Sequence, residues 1–277
     1  MTAARAVLAG VASALLLALA GCGSAGSAGT ATASVTGSSG TGSASVGTDP
    51  SASSSASSAV ETSTPGASAA GAADGQLHGL VAVWPFTTAA EVSRWQQEYR
   101  SGGSQPWHLD PGRTALSFSS GRLGYREVNL VTSSKVAGDD ARIGVGWKNP
   151  NDRPATVAVL HLLRWGTGAD RPWVVVGSDD ATLSLTAPRY GATVGSPLKV
   201  GGVITGVDES LHVLVFAAGV EKPVGEQAGM PAGGEKTPWN GQVTFAAPHG
   251  SLLTVAVSTG GHLMAVEQFA ITAVRVA

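Results

Sequence analysis

Six histidines, one cysteine and seven tryptophans hold most of the chemistry open to this chain of 277 residues. The histidines stand scattered at 78, 108, 161, 212, 249 and 262, without the spacing of a metal site. His108 and Asp110 form the closest pairing of imidazole and carboxylate, beside Trp107, and could make a small polar site in which a proton is moved. His161 and His212 fall within apolar stretches, where a satisfied core or edge residue is the expectation. Ser196-Pro197-Leu198-Lys199 has the spacing of a serine activated by a lysine one helical turn on, yet it reads as a turn running into a strand, which would turn the two side chains apart. Asp139-Asp140 and Asp179-Asp180 could offer oxygens to calcium, but between strands Asp is favoured simply as a turn residue. Gly-x-Ser-x-Gly and His-Glu-x-x-His do not occur, and one cysteine excludes Cys-x-x-Cys. The expectation is a chain without catalytic residues, metal or cofactor.

The tryptophans are more telling. Six of the seven, at 84, 95, 107, 147, 165 and 173, lie between residues 77 and 180. A flat indole can stack on a sugar ring, and it can equally bury about 150–250 Å² in a core. Trp95 and Trp147 sit on the apolar faces of their predicted elements and read as core. Trp107, Trp173 and Trp239 each follow a proline at an element boundary, and these three are the candidate ligand-binding aromatics expected to face solvent.

The elements that must position these residues begin after a distinctive amino end. Arg5 precedes an apolar and small-residue run from Ala6 to Ala20, which has the order of a secretory signal. The run is shorter than the roughly 20 residues that a membrane-crossing helix needs. It closes on Leu19-Ala20-Gly21-Cys22, which resembles the lipobox of bacterial lipoproteins. That resemblance implies cleavage after residue 21 and a diacylglyceryl group on the Cys22 thiol, hence a lipid anchor at the outer face of the cytoplasmic membrane. Each buried methylene contributes about 0.8 kcal/mol, so two acyl chains anchor stably. An ordinary cut after Ala18-Leu19-Ala20 would instead release a soluble protein. Residues 22–76 are almost wholly Ser, Ala, Gly and Thr and cannot form a core, which predicts a disordered tether of about 40 Å mean span. A formal net charge of −2 and a pI near 6.3 offer no basic patch, so nucleic acid is not an expected partner.

Residues 77–180 read as an α+β domain. After the apolar run Leu80 to Trp84 and Pro85, Thr87 or Thr88 can cap a helix carrying Val92, Trp95 and Tyr99 on one face, ended by Gly102-Gly103. Asp110-Pro111 opens a second helix, through Ala115 and Phe118 toward Gly121. Ala141, Ile143, Val145 and Trp147 alternate with Arg142, Gly144, Gly146 and Lys148 as a half-buried antiparallel strand. A turn at Asn149 to Asp152 leads to strands at 155–165 and 173–177. Helices followed by a meander place helices on an antiparallel sheet.

Residues 181–277 read as all-β: Leu183 to Leu185, then 198–205, 211–217, 242–246, 252–257 and 266–274, with a weaker candidate at 220–225. The spacing fits an immunoglobulin-like sandwich without its cysteines. The stretch from Leu185-Thr186-Ala187-Pro188 through Gly195-Ser196-Pro197-Leu198-Lys199-Val200-Gly201, and Trp239-Asn240-Gly241-Gln242-Val243-Thr244-Phe245 after it, is similar to the bacterial spore-germination immunoglobulin-like domain. That resemblance implies a non-enzymatic accessory module on envelope proteins. Val83-Trp84-Pro85-Phe86, Ala115 to Phe118 and Leu123-Gly124-Tyr125 more distantly resemble the region before this module in other actinobacterial envelope proteins. The expected role is binding or assembly at the envelope, with a protein or wall polysaccharide as partner. The alternative is a cell-wall hydrolase with its site at His108 and Asp110 in the 77–180 domain.

Overall fold

The computed structural model describes residues 76–103 and 105–277, so the signal segment, Cys22 and the tether lie outside the described residues. What is described is mostly β, with two main sheets and a small hairpin. The hairpin is β1 (Gln76–Leu77) with β2 (Leu80–Val81). Helix α1 (Ala89–Gly102) follows, and its start is set by a capping box: the Thr88 hydroxyl accepts from the Glu91 amide while the Glu91 carboxylate accepts from the Thr87 and Thr88 amides. Gly103, at φ 74°, ends it in the left-handed region where a Cβ would be penalised. After a 3-10 turn (Pro106–Leu109), Asp110 caps α2 (Pro111–Ser117) by accepting from the Arg113 amide at 2.9 Å, and a π-helical turn (Phe118–Arg122) extends it. Among the described residues no helix is long and apolar enough to cross a membrane.

The first main sheet is an antiparallel meander of β3 (Leu130–Ala137), β4 (Asp140–Lys148), β5 (Pro154–Arg164) and β6 (Trp173–Ser178). Alternation along β4 puts Ala141, Ile143, Val145 and Trp147 on the buried face, where they share one apolar cluster with Leu160, Leu162 and Trp173 and with Ala115 and Phe118 of the helical segment. Strand β3 has no counterpart in the sequence expectations. It is an edge strand, largely exposed and carrying Thr132, Ser133, Ser134 and Lys135, so it shows little apolar alternation.

The second sheet has the order β7 (Thr193–Val194), β11 (Gln268–Val276), β10 (Leu252–Thr259), β8 (Leu198–Ala217) and β9 (Gly225–Val243). The candidates at 198–205 and 211–217 prove to be the two ends of one strand, β8. The stretch 226–241, from which no strand was expected, belongs to β9. Its Gly, Ala and Pro content hides a strand that is mostly exposed. The β8–β9 ladder shifts register between Ile204 and Val213, and the backbone of Gly225, where β9 begins, pairs with Phe245, two residues past its end. The long hairpin is therefore folded back on itself. Leu198, Val200 and Ile204 from its first half join Val213, Val215, Leu253, Val255 and Val257 in a single cluster. Leu183 and Leu185 enter the same cluster by isolated pairing against β8.

This sheet is apolar on both faces. Val213, Val215, Leu253, Val255 and Val257 point to that second cluster, and Leu214, Phe216, Leu252, Ala256, Phe269 and Ile271 point to the cluster lined by the meander. Residues on either side of position 180 thus share one core. Tyr190 fastens the same junction: its hydroxyl accepts from the Val81 amide at 2.8 Å and lies 2.9 Å from the Val176 carbonyl.

Candidate binding site

The expected aromatic trio does not form a surface. Trp173 is 0 % exposed and Trp239 is 5 % exposed, which corrects the expectation of solvent-facing rings. Trp173 begins β6 on the face that alternation turns into the core, with the Arg164 guanidinium 4.9 Å from its ring centre. Trp239 pairs with Gly202, and its indole N–H donates to the Ser184 carbonyl at 3.2 Å. Pro172 directly precedes β6 and Pro238 lies within β9, so neither ring stands at an exposed boundary. Trp107 alone of the three is partly exposed.

Trp107 lies on the 3-10 turn and stacks on Trp84, with ring centres 5.6 Å apart and 23° between planes. Trp84 is held at the edge of β6, where its carbonyl accepts from the Val175 amide at 2.7 Å, and Phe118 supports its ring from the core side at 5.9 Å. Behind this pair Phe86, Trp95 and His108 interlock, with His108 at 4.9 Å from Phe86 and 5.3 Å from Trp95. His108 is 2 % exposed; its Nε2 meets Gln105 Oε1 at 2.9 Å, and Nδ1 has no partner. Burial pushes its pKa down to about 4, so the imidazole is neutral at physiological pH. Asp110 faces the amide of Arg113 as a helix cap. The structure brings His108 to the aromatic packing and Asp110 to α2, and gives them no shared hydrogen bond.

Beside Trp84 runs a groove of about 190 Å³ whose lining includes Pro85, Thr87, Arg122, Gly219 and Glu221. Arg122 spans it from the π-helical turn, donating to the carbonyls of Ala217 (2.8 Å) and Val220, with its guanidinium 4.8 Å from the Phe216 ring centre. Burial presses this guanidinium below the ordinary arginine range, against the opposing pull of Glu221. A half-buried indole stack beside a desolvated cation and a carboxylate can take the C–H face of a sugar ring and its polar edge together. Trp84 precedes its proline, so a search for tryptophans following prolines passes over it. Arg122 has no sequence signal, since its partners are backbone carbonyls nearly a hundred residues away.

The other candidates are committed elsewhere. Asp139 is paired with Arg171 (2.8 Å), Asp140 with His161 (2.8 Å) and Arg142, and Asp179 with Arg142 (3.0 Å). Arg171 holds the Asp139 carboxyl below the usual range. His212 meets Glu226 at 2.8 Å, and the Ser196 hydroxyl accepts from the Phe245 amide while Lys199 lies along β8. Among the described residues no group of three metal-ligating side chains converges. No family model, curated protein or solved structure matches the chain.

Proposed function

We propose that this chain is a lipoprotein of the cell envelope, anchored by Cys22 to the outer face of the cytoplasmic membrane, whose folded part binds a wall polymer or an envelope protein without catalysis. The stacked Trp84–Trp107 pair beside the Arg122 groove is the observation that carries the binding role, and the Leu-Ala-Gly-Cys string supports the anchor. In this reading 77–180 is an α+β module with α2 against the meander. Residues 181–277 are an immunoglobulin-like sandwich, which the folded-back β8–β9 hairpin supports. The hydrolase alternative draws no support from the positions of His108 and Asp110.

The test uses the secreted Cys22→Ser chain incubated with purified cell wall and with membrane extract. Retention on one of them is expected, with at least a tenfold loss in the Trp84→Ala, Trp107→Ala double variant. Failure to be retained on either would remove the binding role. Radiolabelled palmitate should mark the wild-type chain and not Cys22→Ser.

A further inference from the structure

Away from the tryptophan groove, a cavity of about 390 Å³ opens beside the turn between β3 and β4, lined by Lys135, Asp140, Arg142 and Asp179 together with Ala137. Lys135 stands directly opposite Arg142 in the ladder of the two strands. Like charges in that position repel, and a sheet ordinarily avoids the pairing or neutralises both partners. Here only one is neutralised. Arg142 donates from Nε to Asp179 Oδ1 at 3.0 Å and from Nη1 to Asp140 Oδ1 at 2.6 Å, whereas Lys135 has no salt bridge or hydrogen bond among the described residues. A repelled, unpaired cation at the wall of a cavity is the kind of departure from local consistency that a fold retains where something binds. The network around it is fixed: Asp140 Oδ2 meets His161 Nε2 at 2.8 Å, and the Asp179 amide donates to the Val159 carbonyl at 2.9 Å. Three charged atoms are left without a partner among the described residues, namely Lys135 Nζ, Arg142 Nη2 and Asp179 Oδ2. The Arg142 and Asp179 side chains are 32 % and 46 % exposed and Lys135 is exposed too, so these groups are within reach of a ligand from solution.

We propose that this cavity binds a small zwitterion of the amino-acid type, its carboxylate taken by Lys135 and Arg142 and its ammonium by Asp179. The carboxylate supplies the counter-charge that Lys135 lacks. A simple anion would also face Asp140 and Asp179, and a simple cation would face Lys135 and Arg142, whereas a ligand carrying both charges meets each with its opposite. The size agrees, since pockets for small ligands begin at about 300 Å³.

NMR titration of the Cys22→Ser chain with alanine and with alanylalanine tests the proposal, acetate and methylamine serving as single-charge controls. Saturable shifts of the Ala137, Asp140 and Asp179 amides at millimolar concentration are expected for at least one zwitterion, with acetate and methylamine binding at least tenfold more weakly. Lys135→Gln and Asp179→Asn should each weaken binding tenfold or more. Lys135→Gln should keep or raise the melting temperature, because it keeps most of the stem and removes a repelled charge, so its binding loss is not a folding loss. The Trp84→Ala, Trp107→Ala variant should bind the zwitterion unchanged, which separates this site from the groove above. No saturable shift with either zwitterion, acetate binding as tightly as they do, or binding that survives Lys135→Gln would overturn it.

Discussion

His108 gives the described part of the chain a pH dependence whose sign follows from its surroundings. The imidazole is buried among Phe86, Trp95 and Trp107, and its pKa is lowered from 6.5 to about 4. The folded state prefers the neutral ring, so its contribution is complete above pH 6.5 and is lost as pH falls from 6.5 toward 4. Fully expressed, a shift of this size corresponds to about 3 kcal/mol. Asp139, Asp170 and Glu267 are held below the usual carboxylate range, so their contributions begin to fall from about pH 5, a loss that the wild type and a His108 variant share. Urea unfolding at pH 7.5 and 4.5 should show a marked loss for the wild type and a loss smaller by roughly 2–3 kcal/mol for His108→Leu. Equal losses in the two proteins would show that this ring does not titrate in the window.

Among the elements, the approach of the 182–187 segment to β8 is a close one, and it depends on a missing side chain. A Cβ at Gly202 would stand 2.0 Å from the Ser184 carbonyl oxygen, which sits beside the amide bonds from Ser184 to Val203 and from Thr186 to Gly201. Gly202→Ala should therefore detach this segment and uncover Leu183, Leu185 and Trp239, at a cost of about 3 kcal/mol or more. Hydrogen exchange at the Ser184, Thr186 and Thr205 amides would report it, and unchanged protection there would refute the argument. This is also where the legibility of the sequence divides. Helix α1 could be placed to within a residue at each end, because its capping threonine and terminal glycines act locally, and β4 was visible in its alternation. The bend in β8 and the 226–241 stretch of β9 were not, because they arise from cross-strand pairing in a Gly-rich stretch and not from local pattern. The trio of tryptophans misled for a related reason: a proline reports the local backbone, whereas burial of the next ring is decided by the layer packed upon it. Trp84 and Arg122 become neighbours only through β6 and the 217–221 turn.

At the scale of the whole folded part, the cut between residues 180 and 181 divides the texture of the sequence but not the core. A 181–277 fragment would expose Leu214, Phe216, Leu252, Phe269 and Ile271, all buried against residues of the meander. At about 1.5–3 kcal/mol for each large apolar side chain, the loss is on the order of 10 kcal/mol, comparable with the entire stability of an ordinary domain. The 77–180 fragment fares no better, since Val81, Tyr125 and Val128 lie in that cluster and the amide of Val81 relies on the Tyr190 hydroxyl. Each fragment produced alone should aggregate or give a collapsed NMR spectrum, whereas the two co-expressed should associate and recover the dispersion of the intact chain. A sharp, dispersed spectrum from either fragment alone would mean that the shared cluster is an interface between independently folding modules. On the shared-core view, the tryptophan groove, which takes Trp84 from one side of the cut and Glu221 from the other, exists only in the intact unit. Wall or membrane retention should then be absent from both fragments and return on co-expression.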